Sequence, residues 1–393
     1  MSAYNRCKVT MRFDDGSTIS DWISLTLRDT YTDPVAELRF QAAPTQPNRP
    51  EYKKRLRKGH LVTVFVDDTN LGSFLIQTVD KTISKAGGVL YDITCKTPLA
   101  TPYEGSVDPT LELSSQTDTP VSIAILKALA PYGFDRISTD GASDASAITG
   151  RSIKGAAPAF PVDTLKAQQC KAQEGETAYQ FCSRIFSRLA VCLRMKADGQ
   201  LLISAPDYEQ QPSYTLVQDP KRRVDGDYFI GEIHIHDTNE GQFSEAVCRG
   251  ERDDNNPDVT QTARPEATVK ATDLNAKRPA YSGDPAAAGY KPYIMRDKNA
   301  RDVKRCKNVA TMALGLKAKE AFTIEGEVDG FRAKTGALWA VNTTVHVYIA
   351  EEDIDEKMWV AERTFTEDKA GGQKTKCKIL GLYQLRLGEI PKG

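Results

Sequence analysis

The feature that most constrains this chain is a β-rich segment that occurs twice. Residues 61–96 align without gaps with residues 345–380, at an offset of 284 positions. Each copy reads as a strand, an acidic turn, a second strand, the tetrapeptide Lys-Ala-Gly-Gly (85–88 and 369–372) and a third strand ending near a cysteine. The side-chain phase slips by one residue in the first strand, and identity outside the tetrapeptide is low. The spacing predicts two similar β modules in one chain.

Residues 1–97 are predicted to form the first small β-barrel. Apolar and polar residues alternate from Cys7 to Asp14, and turn residues separate six short strands. A proline-rich, basic segment at residues 41–58 is predicted to be a long loop. Residues 216–251 and 321–388 are predicted to form the second barrel. The predicted fold class is therefore α+β and mainly β, with two similar small β-barrels separated by an α/β domain.

Residues 98–215 are predicted to be that α/β domain. A helix over 120–132 has Thr119 as its cap and ends at Gly133. A second helix over 176–190 carries one apolar stripe, and a hairpin over 191–204 turns at Asp198-Gly199. The stripe consists of Ala178, Phe181, Cys182, Ile185 and Leu189.

Residues 252–320 are predicted to be a long irregular insertion followed by a helix. Residues 252–300 are rich in Pro, Asn, Asp, Gly and Ala and show little periodicity. A structureless span of this length inside a domain is more often functional or partner-bound than idle. Residues 301–320 have helical spacing, with Val303, Cys306, Ala310 and Ala313 on one stripe.

Charge and composition disfavour several classes of protein. Lys plus Arg number 52 against 53 for Asp plus Glu, so no global field attracts nucleic acid or an anionic membrane. No apolar run approaches the roughly 20 residues that span a bilayer, and residues 1–6 lack a hydrophobic signal core. The chain is expected to stay in the cytosol unless a larger assembly carries it out. The eight cysteines have no CxxC spacing and are predicted to be small buried hydrophobes.

Two groups of residues resemble metal sites without completing one. Glu232, His234 and His236 would share one face of a strand, where they could bind one metal ion. Strand alternation also places polar residues on the solvent-exposed face without any metal. The run Asp253-Asp254-Asn255-Asn256 with Asp258 lacks the glycine and terminal glutamate of a calcium loop and is interpreted as a solvated loop. No metal or cofactor is predicted.

The remaining candidates also have structural interpretations. Glu174 and Glu176 lie at a helix start, where the helix dipole stabilises carboxylates. A glycosidase site would need a second acid across a cleft, and nothing in the sequence places one there. The basic run Lys53–Lys58 is either a solvated loop or a docking segment for a neighbouring subunit. Trp22, Trp339 and Trp359 are predicted to pack in cores rather than form a sugar platform. No catalytic residue is predicted, and the chain is not expected to be an enzyme.

Short motifs spread from about residue 20 to residue 385 resemble those of the baseplate hub proteins of contractile phage tails, the Mu-like type in particular. In chain order they are Asp21-Trp22, Ala130-Pro131-Tyr132-Gly133, Ala159-Phe160-Pro161, Gly175-Glu176-Thr177-Ala178-Tyr179 with Ser183-Arg184, Asp198-Gly199-Gln200-Leu201, Arg278-Pro279, and Gly336-Ala337-Leu338-Trp339 with Asn342. The segments 41–58 and 252–300 depart from the family pattern.

This resemblance implies a homotrimeric structural protein of the virion tail baseplate, assembled in the host cytoplasm. Its implied partners are the tail tube or a tube-initiator protein, a separate central spike protein and other baseplate proteins, with no nucleic acid, membrane span or cofactor. The predicted repeat fits this role, because three copies of a two-barrel chain place six similar units in a ring. The alternatives are a cell-wall hydrolase and a glycan-binding baseplate component.

Overall fold

The chain folds into two compact units. A computed structural model describes residues 6–19, 22–84, 88–111, 121–139, 171–186, 192–204, 208, 210–221, 223–251, 264–271, 290–297, 300, 303–318 and 320–381. Unit 1 comprises Met1–Ile233, Gly326–Glu356 and Val360–Lys378, and unit 2 comprises His234–Glu325, Lys357–Trp359 and Ile379–Gly393.

The N-terminal part of unit 1 is a set of antiparallel strands with one short helix. Alternation buries Val9, Met11 and Phe13 on one face of the first strand, as the sequence predicts. The elements are β1 (Val9–Phe13), β2 (Thr18–Ile19), β3 (Ser24–Thr30), β4 (Glu37–Ala42), α1 (Arg49–Arg55), β5 (Leu61–Val66), β6 (Thr69–Ser84) and β7 (Gly88–Lys96).

Helix α1 lies within the segment that was predicted to be a long loop. The helix begins with Pro50 in its first turn and ends with basic residues, an arrangement that suits the helix dipole. Tyr52 and Leu56, four residues apart, are buried, while Lys53 and Lys54 are exposed. The prediction of a loop was wrong here because two apolar residues four positions apart suffice to anchor a two-turn helix.

The middle of unit 1 combines helices with a small mixed sheet. Its core contains Ile125, Leu129, Phe181, Leu193 and Ile203. Strand β10 pairs in parallel with β8 and antiparallel with β9. The elements are α2 (Ala100–Glu104), α3 (Val121–Leu129) followed by a 3-10 turn (Ala130–Tyr132), β8 (Ile137–Thr139), α4 (Ala178–Phe186), β9 (Cys192–Met195) and β10 (Leu201–Ser204). Thr119, Pro120, Leu189 and residues 140–170 lie outside the described residues, as does the Ile185 side chain.

The C-terminal strands form a closed barrel. The strands are β11 (Tyr214–Gln218), β12 (Asp227–Asp237), β16 (Phe322–Asp329), β17 (Thr343–Ile349), β18 (Ile354–Asp368) and β19 (Gly372–Gly381). They are hydrogen-bonded in the order β17-β11-β12-β16-β19-β18, and an additional β17–β18 pairing closes the ring of six strands. The fold is therefore mainly β, with a smaller helical component, as predicted.

The two β regions share one strand order. We call β1 and β3–β7 the N-module, and the six strands of the closed barrel the C-module. The N-module order is β1-β5-β6-β7-β4-β3 and the C-module order is β11-β17-β18-β19-β16-β12, so each strand has its counterpart at the same place in both chain order and sheet order. The buried faces of the last strands coincide at the offset of 284, since Ile93 and Cys377 are buried, as are Cys95 and Ile379.

The modules differ in how they close. In the C-module β11 pairs in parallel with both β12 and β17. In the N-module β1 is antiparallel to β5 and forms a hairpin with β2. Strand β3 pairs antiparallel with β18, residues 24–30 opposite residues 368–362. We call this pairing the β3–β18 seam, and it joins both modules in one 13-stranded sheet.

Unit 2 contains a three-stranded sheet covered by a helix. The elements are β13 (Glu245–Arg249), β14 (Glu266–Lys270), β15 (Pro292–Arg296) and α5 (Val303–Ala318). Strands β14 and β15 lie inside the span predicted to be irregular; each has five residues and only partial alternation, so its periodicity is weak. The helix buries Cys306, Ala310 and Leu314, whereas Val303, predicted on the stripe, is 49% exposed.

We expect Gly250→Ala to loosen unit 2 selectively. A Cβ at residue 250 would lie 1.9 Å from the Ala300 carbonyl oxygen and 2.8 Å from Pro265 Cγ. Overpacking of this kind costs about 1–3 kcal/mol. Hydrogen exchange should show faster exchange of the β13–β15 amides with β5–β7 unchanged. Glu266→Ala, an exposed change on the same sheet, is the control, and equal protection in both variants would contradict the packing described here.

Candidate functional site

The β3–β18 seam buries charged residues between the two modules. Arg363 of β18 lies directly opposite Asp29 of β3, with Arg363 Nη2 3.4 Å from Asp29 Oδ2. Arg194 of β9 reaches the same carboxylate, Nη2 to Oδ1, at 2.9 Å. The Arg363 side chain is 9% exposed and that of Asp29 16%. One carboxylate therefore holds two guanidinium groups and connects both modules to the α/β region.

The backbone and aromatic side chains around Arg363 complete this arrangement. Arg363 Nη1 donates to the carbonyl oxygen of Trp339, whose side chain is fully buried. The ring of Tyr214 lies 4.2 Å from the Trp339 ring, centroid to centroid, and its hydroxyl donates to the Leu338 carbonyl at 2.7 Å. Burial lowers the pKa of Arg363 and the Asp29 charge opposes that shift. The guanidinium is thus kept in the core by its partners.

Further ion pairs follow the seam towards solvent. Arg28 Nε donates to Glu362 Oε1 at 2.8 Å, and Thr30 Oγ1 donates to the same carboxylate. Arg6 Nη2 donates to Glu367 Oε1 at 2.7 Å. Because these pairs are partly exposed, each stabilises the fold less than a desolvated pair can. In these pairs the arginines belong to β3 and the N-terminal segment, and the glutamates belong to β18.

A small polar cavity lies beside the seam. Its volume is about 50 Å³, and its lining includes Asp29, Arg194, Lys196 and Arg363. The lining therefore combines one carboxylate with three cationic side chains. The volume suits water rather than an organic substrate.

The motif residues from Gly175 to Tyr179 lie at the start of helix α4. Gly175 has a φ of +80°, and Thr177 and Gln180 form a capping box: Gln180 N donates to Thr177 Oγ1 at 3.1 Å, and Thr177 N donates to Gln180 Oε1 at 3.0 Å. Arg184 binds both oxygens of Glu176, at 2.6 and 2.7 Å. Glu176 is therefore part of a bidentate ion pair at the start of α4. Sequence analysis had explained Glu176 by the helix dipole alone.

Tyr132, which belongs to another of the motifs, contacts the same region. The hydroxyl of Tyr132, which follows α3, donates to the Ser106 carbonyl at 2.6 Å, and Ser106 forms an isolated antiparallel bridge with Thr177. The Ala178 amide donates to the Gly105 carbonyl at 2.9 Å. A side chain at Gly105 would collide with the Tyr132 ring. These motif residues tie helices α3 and α4 to one connecting segment.

The candidate metal residues do not assemble into a site among the described residues. His234 and His236 are exposed on β12, with ring centroids 6.4 Å apart. Across the described ranges no group of three His, Cys, Asp or Glu side chains is arranged to hold a metal ion. Asp253–Asn256 and Asp258 lie outside the described residues. The same part of the chain contains no helix long and apolar enough to cross a membrane.

The tryptophans and most cysteines are packed inside. Trp22, Trp339 and Trp359 are at most 7% exposed, which confirms the prediction of core packing. Of the described thiols, Cys192 is partly exposed and the others are buried. Burial raises the pKa of Cys95 and of Cys377 to about 12. Cys170 lies outside the described residues.

Sequence analysis did not single out Asp29, Arg194 or Arg363. A signal was present for two of them. Asp29 continues the buried phase of Leu25 and Leu27, and Arg363 shares the buried phase of Phe365. A charge on the apolar phase of a strand indicates a buried pair, but the sequence does not say which strands meet.

Comparison with known proteins identifies related folds. Residues 317–380, which contain β16 to β19, match the family described as "Tail protein, C-terminal domain". No sequence among the curated proteins matches the chain.

Three solved structures resemble the chain over nearly its full length. The tail protein from Neisseria meningitidis MC58 is 18% identical with a TM-score of 0.72, covering 98% of this chain and 100% of that one. The prophage MuSo2 43 kDa tail protein from Shewanella oneidensis is 14% identical with a TM-score of 0.70, covering 96% and 99%. The prophage tail protein gp18 from Listeria monocytogenes EGD-e is 10% identical with a TM-score of 0.56, covering 94% of each chain. The resemblance drawn from the sequence is confirmed at the level of the fold.

We expect Asp29→Asn to destabilise unit 1 strongly. The substitution keeps the shape of the side chain but leaves Arg363 buried without its counter-charge, and losing one partner of a buried pair costs about 3–5 kcal/mol. Glu37→Gln removes an exposed pair with Arg39 on neighbouring β4 and is the matched control, with an expected loss of about 0.2–1 kcal/mol. Urea unfolding followed by tryptophan fluorescence measures the free energy of unfolding of both variants. Equal losses would show that the seam charges stabilise unit 1 no more than an exposed ion pair does.

Among the described thiols, we expect alkylation at pH 8 to modify Cys192 first. Thiolate is the reactive form, and a pKa of about 12 leaves almost none at Cys95 or Cys377 in the folded protein. Mass spectrometry of peptides should show labelling of these two residues only after unfolding in guanidinium. Their rapid labelling in the native protein would contradict the burial described above.

Proposed function

We propose that this protein is the structural hub of a contractile phage tail baseplate, a homotrimer that joins a sixfold tail tube to a threefold central spike. The observation that carries the proposal is the repetition of one six-strand order in the N-module and the C-module. The shared fold with phage tail proteins supports it. We further propose that the protein assembles in the host cytoplasm and becomes part of the virion.

Symmetry connects the repeat to this role. Copies related by a threefold axis present each surface three times. When one chain carries two similar modules, six similar surfaces surround the axis. A tube of six identical subunits can then contact a similar surface at every position, while the remainder of each chain still obeys threefold symmetry. The seam charges favour this use, because they fix the two modules of one chain to each other.

The proposed partners follow from that position. They are further copies of this chain, the tail tube or a tube-initiator protein, a separate spike protein and other baseplate proteins. The proposal includes no cofactor and no reaction. In its support, Glu176 at the start of α4 is paired with Arg184. Burial raises the pKa of the Cys182 and Cys377 thiols.

We expect light scattering to give about three times the 43.3 kDa chain mass, either for the protein alone or after co-expression with the spike protein of the same phage. Association through a defined interface should yield one species whose mass does not rise further with concentration. A monomer in both preparations would overturn the proposal. A peptidoglycan zymogram is the complementary test, since the hub is expected to leave the gel uncleared and a cell-wall hydrolase is not.

A further inference from the structure

Corresponding strands of the two modules have different surroundings at one edge. Strand β18 pairs with β3 along residues 362–368. The offset of 284 places residues 78–84 of β6 at the corresponding positions. Strand β5 pairs only with residues 69–75 of β6, and β7 occupies the other edge from Leu75 onward. Among the described strands, none pairs with residues 78–83 at the edge that corresponds to the seam.

Side-chain burial shows the same contrast. Phe365 and Glu367 of β18 are 1% and 7% exposed. Their counterparts, Lys81 and Ile83, are both exposed, Ile83 to 78%. A large apolar side chain at this exposure on an open strand edge is a typical site of strand addition.

The counterpart of β3 is β12, and it also has an open stretch. Strand β11 pairs with β12 at Asp227 and Tyr228 only, and β16 is the neighbour on the other edge. Beyond this point the side chains of Glu232, His234, His236 and Asp237 are exposed, and those of Ile233 and Ile235 are partly buried. No further strand pairing is described on the β11 side of residues 230–237.

We propose that residues 78–83 of β6 pair antiparallel with residues 230–237 of β12 in a second copy of this chain. The proposal rests on the proposed homotrimer and deepens it. The β3–β18 seam within one chain then has an equivalent between chains, in which β6 takes the place of β18 and β12 takes the place of β3. The contact joins unlike edges head to tail, and such a contact closes into a ring when its rotation fits the copy number.

The chemistry of the two edges is complementary. Among the described strands neither edge has a partner for its backbone donors and acceptors, which are of the kind that strand addition satisfies. In a register that sets even-numbered residues opposite even-numbered ones, Asp80 can face His234 or His236 on one side of the sheet, and Ile83 can cover Ile233 and Ile235 on the other. A shift by one residue would set Asp80 against the isoleucines and Ile83 against the polar side chains, which disfavours that register.

Cysteine cross-linking tests the contact. Thr82→Cys and Glu232→Cys place exposed thiols on the two edges, and a bis-maleimide of about 10 Å span tolerates a shift of about three residues along a strand. The double variant should give covalent dimers and trimers on a denaturing gel. Each single variant should give neither, because unlike edges meet, and a mixture of both single variants should stop at dimers. The unmodified chain gives the background due to Cys192.

The outcomes separate this inference from the proposed function. A trimer by light scattering, with the cross-links above, supports both. A trimer whose double variant does not cross-link, or whose Thr82→Cys single variant forms covalent dimers, overturns the β6–β12 contact and leaves the hub proposal standing. A monomer with and without the spike protein overturns the hub proposal and this contact with it.

Discussion

The pairing of Arg363 with Asp29 is the interaction on which the relation of the two modules depends. Neither charge is stable in a protein interior without the other, and Arg194 and the Trp339 carbonyl supply further hydrogen bonds to the pair. A slip of one residue between β3 and β18 would separate the two charges and turn every side chain of the strand to the opposite face. The buried pair thus selects one register for the strands that join the modules.

The motifs that resemble the hub family have structural roles where the structure describes them. Thr177 and Gln180 cap α4, Tyr132 fastens the end of α3 to Ser106, and Trp339 packs beside the seam. Gly336 and Asn342 have positive φ values of +83° and +60° at the entry to β17. In this chain, backbone conformation and packing therefore account for these motif residues.

Much of the fold was predictable because its signals are local. The alternation around Met11, the hairpin turning at Gly199 and the Phe181 face of α4 all follow from periods of two or about 3.6 residues. Helix α1 and strands β14 and β15 were missed, since each is short and its apolar pattern is brief. The surroundings of Asp29 and Arg363 were missed for another reason: the two residues are 334 positions apart, and no local pattern relates them.

Local patterns were enough to predict the doubled β module and its turns, since strand alternation and turns depend on residues within a few positions of one another. Tertiary structure decided that the C-module closes through β11 while β3 pairs with β18. It also decided that Arg194 shares the carboxylate of Asp29. The physical reason is that strand pairing and charge compensation act between segments far apart in the chain, and their energy depends on burial that exists only after the chain has folded.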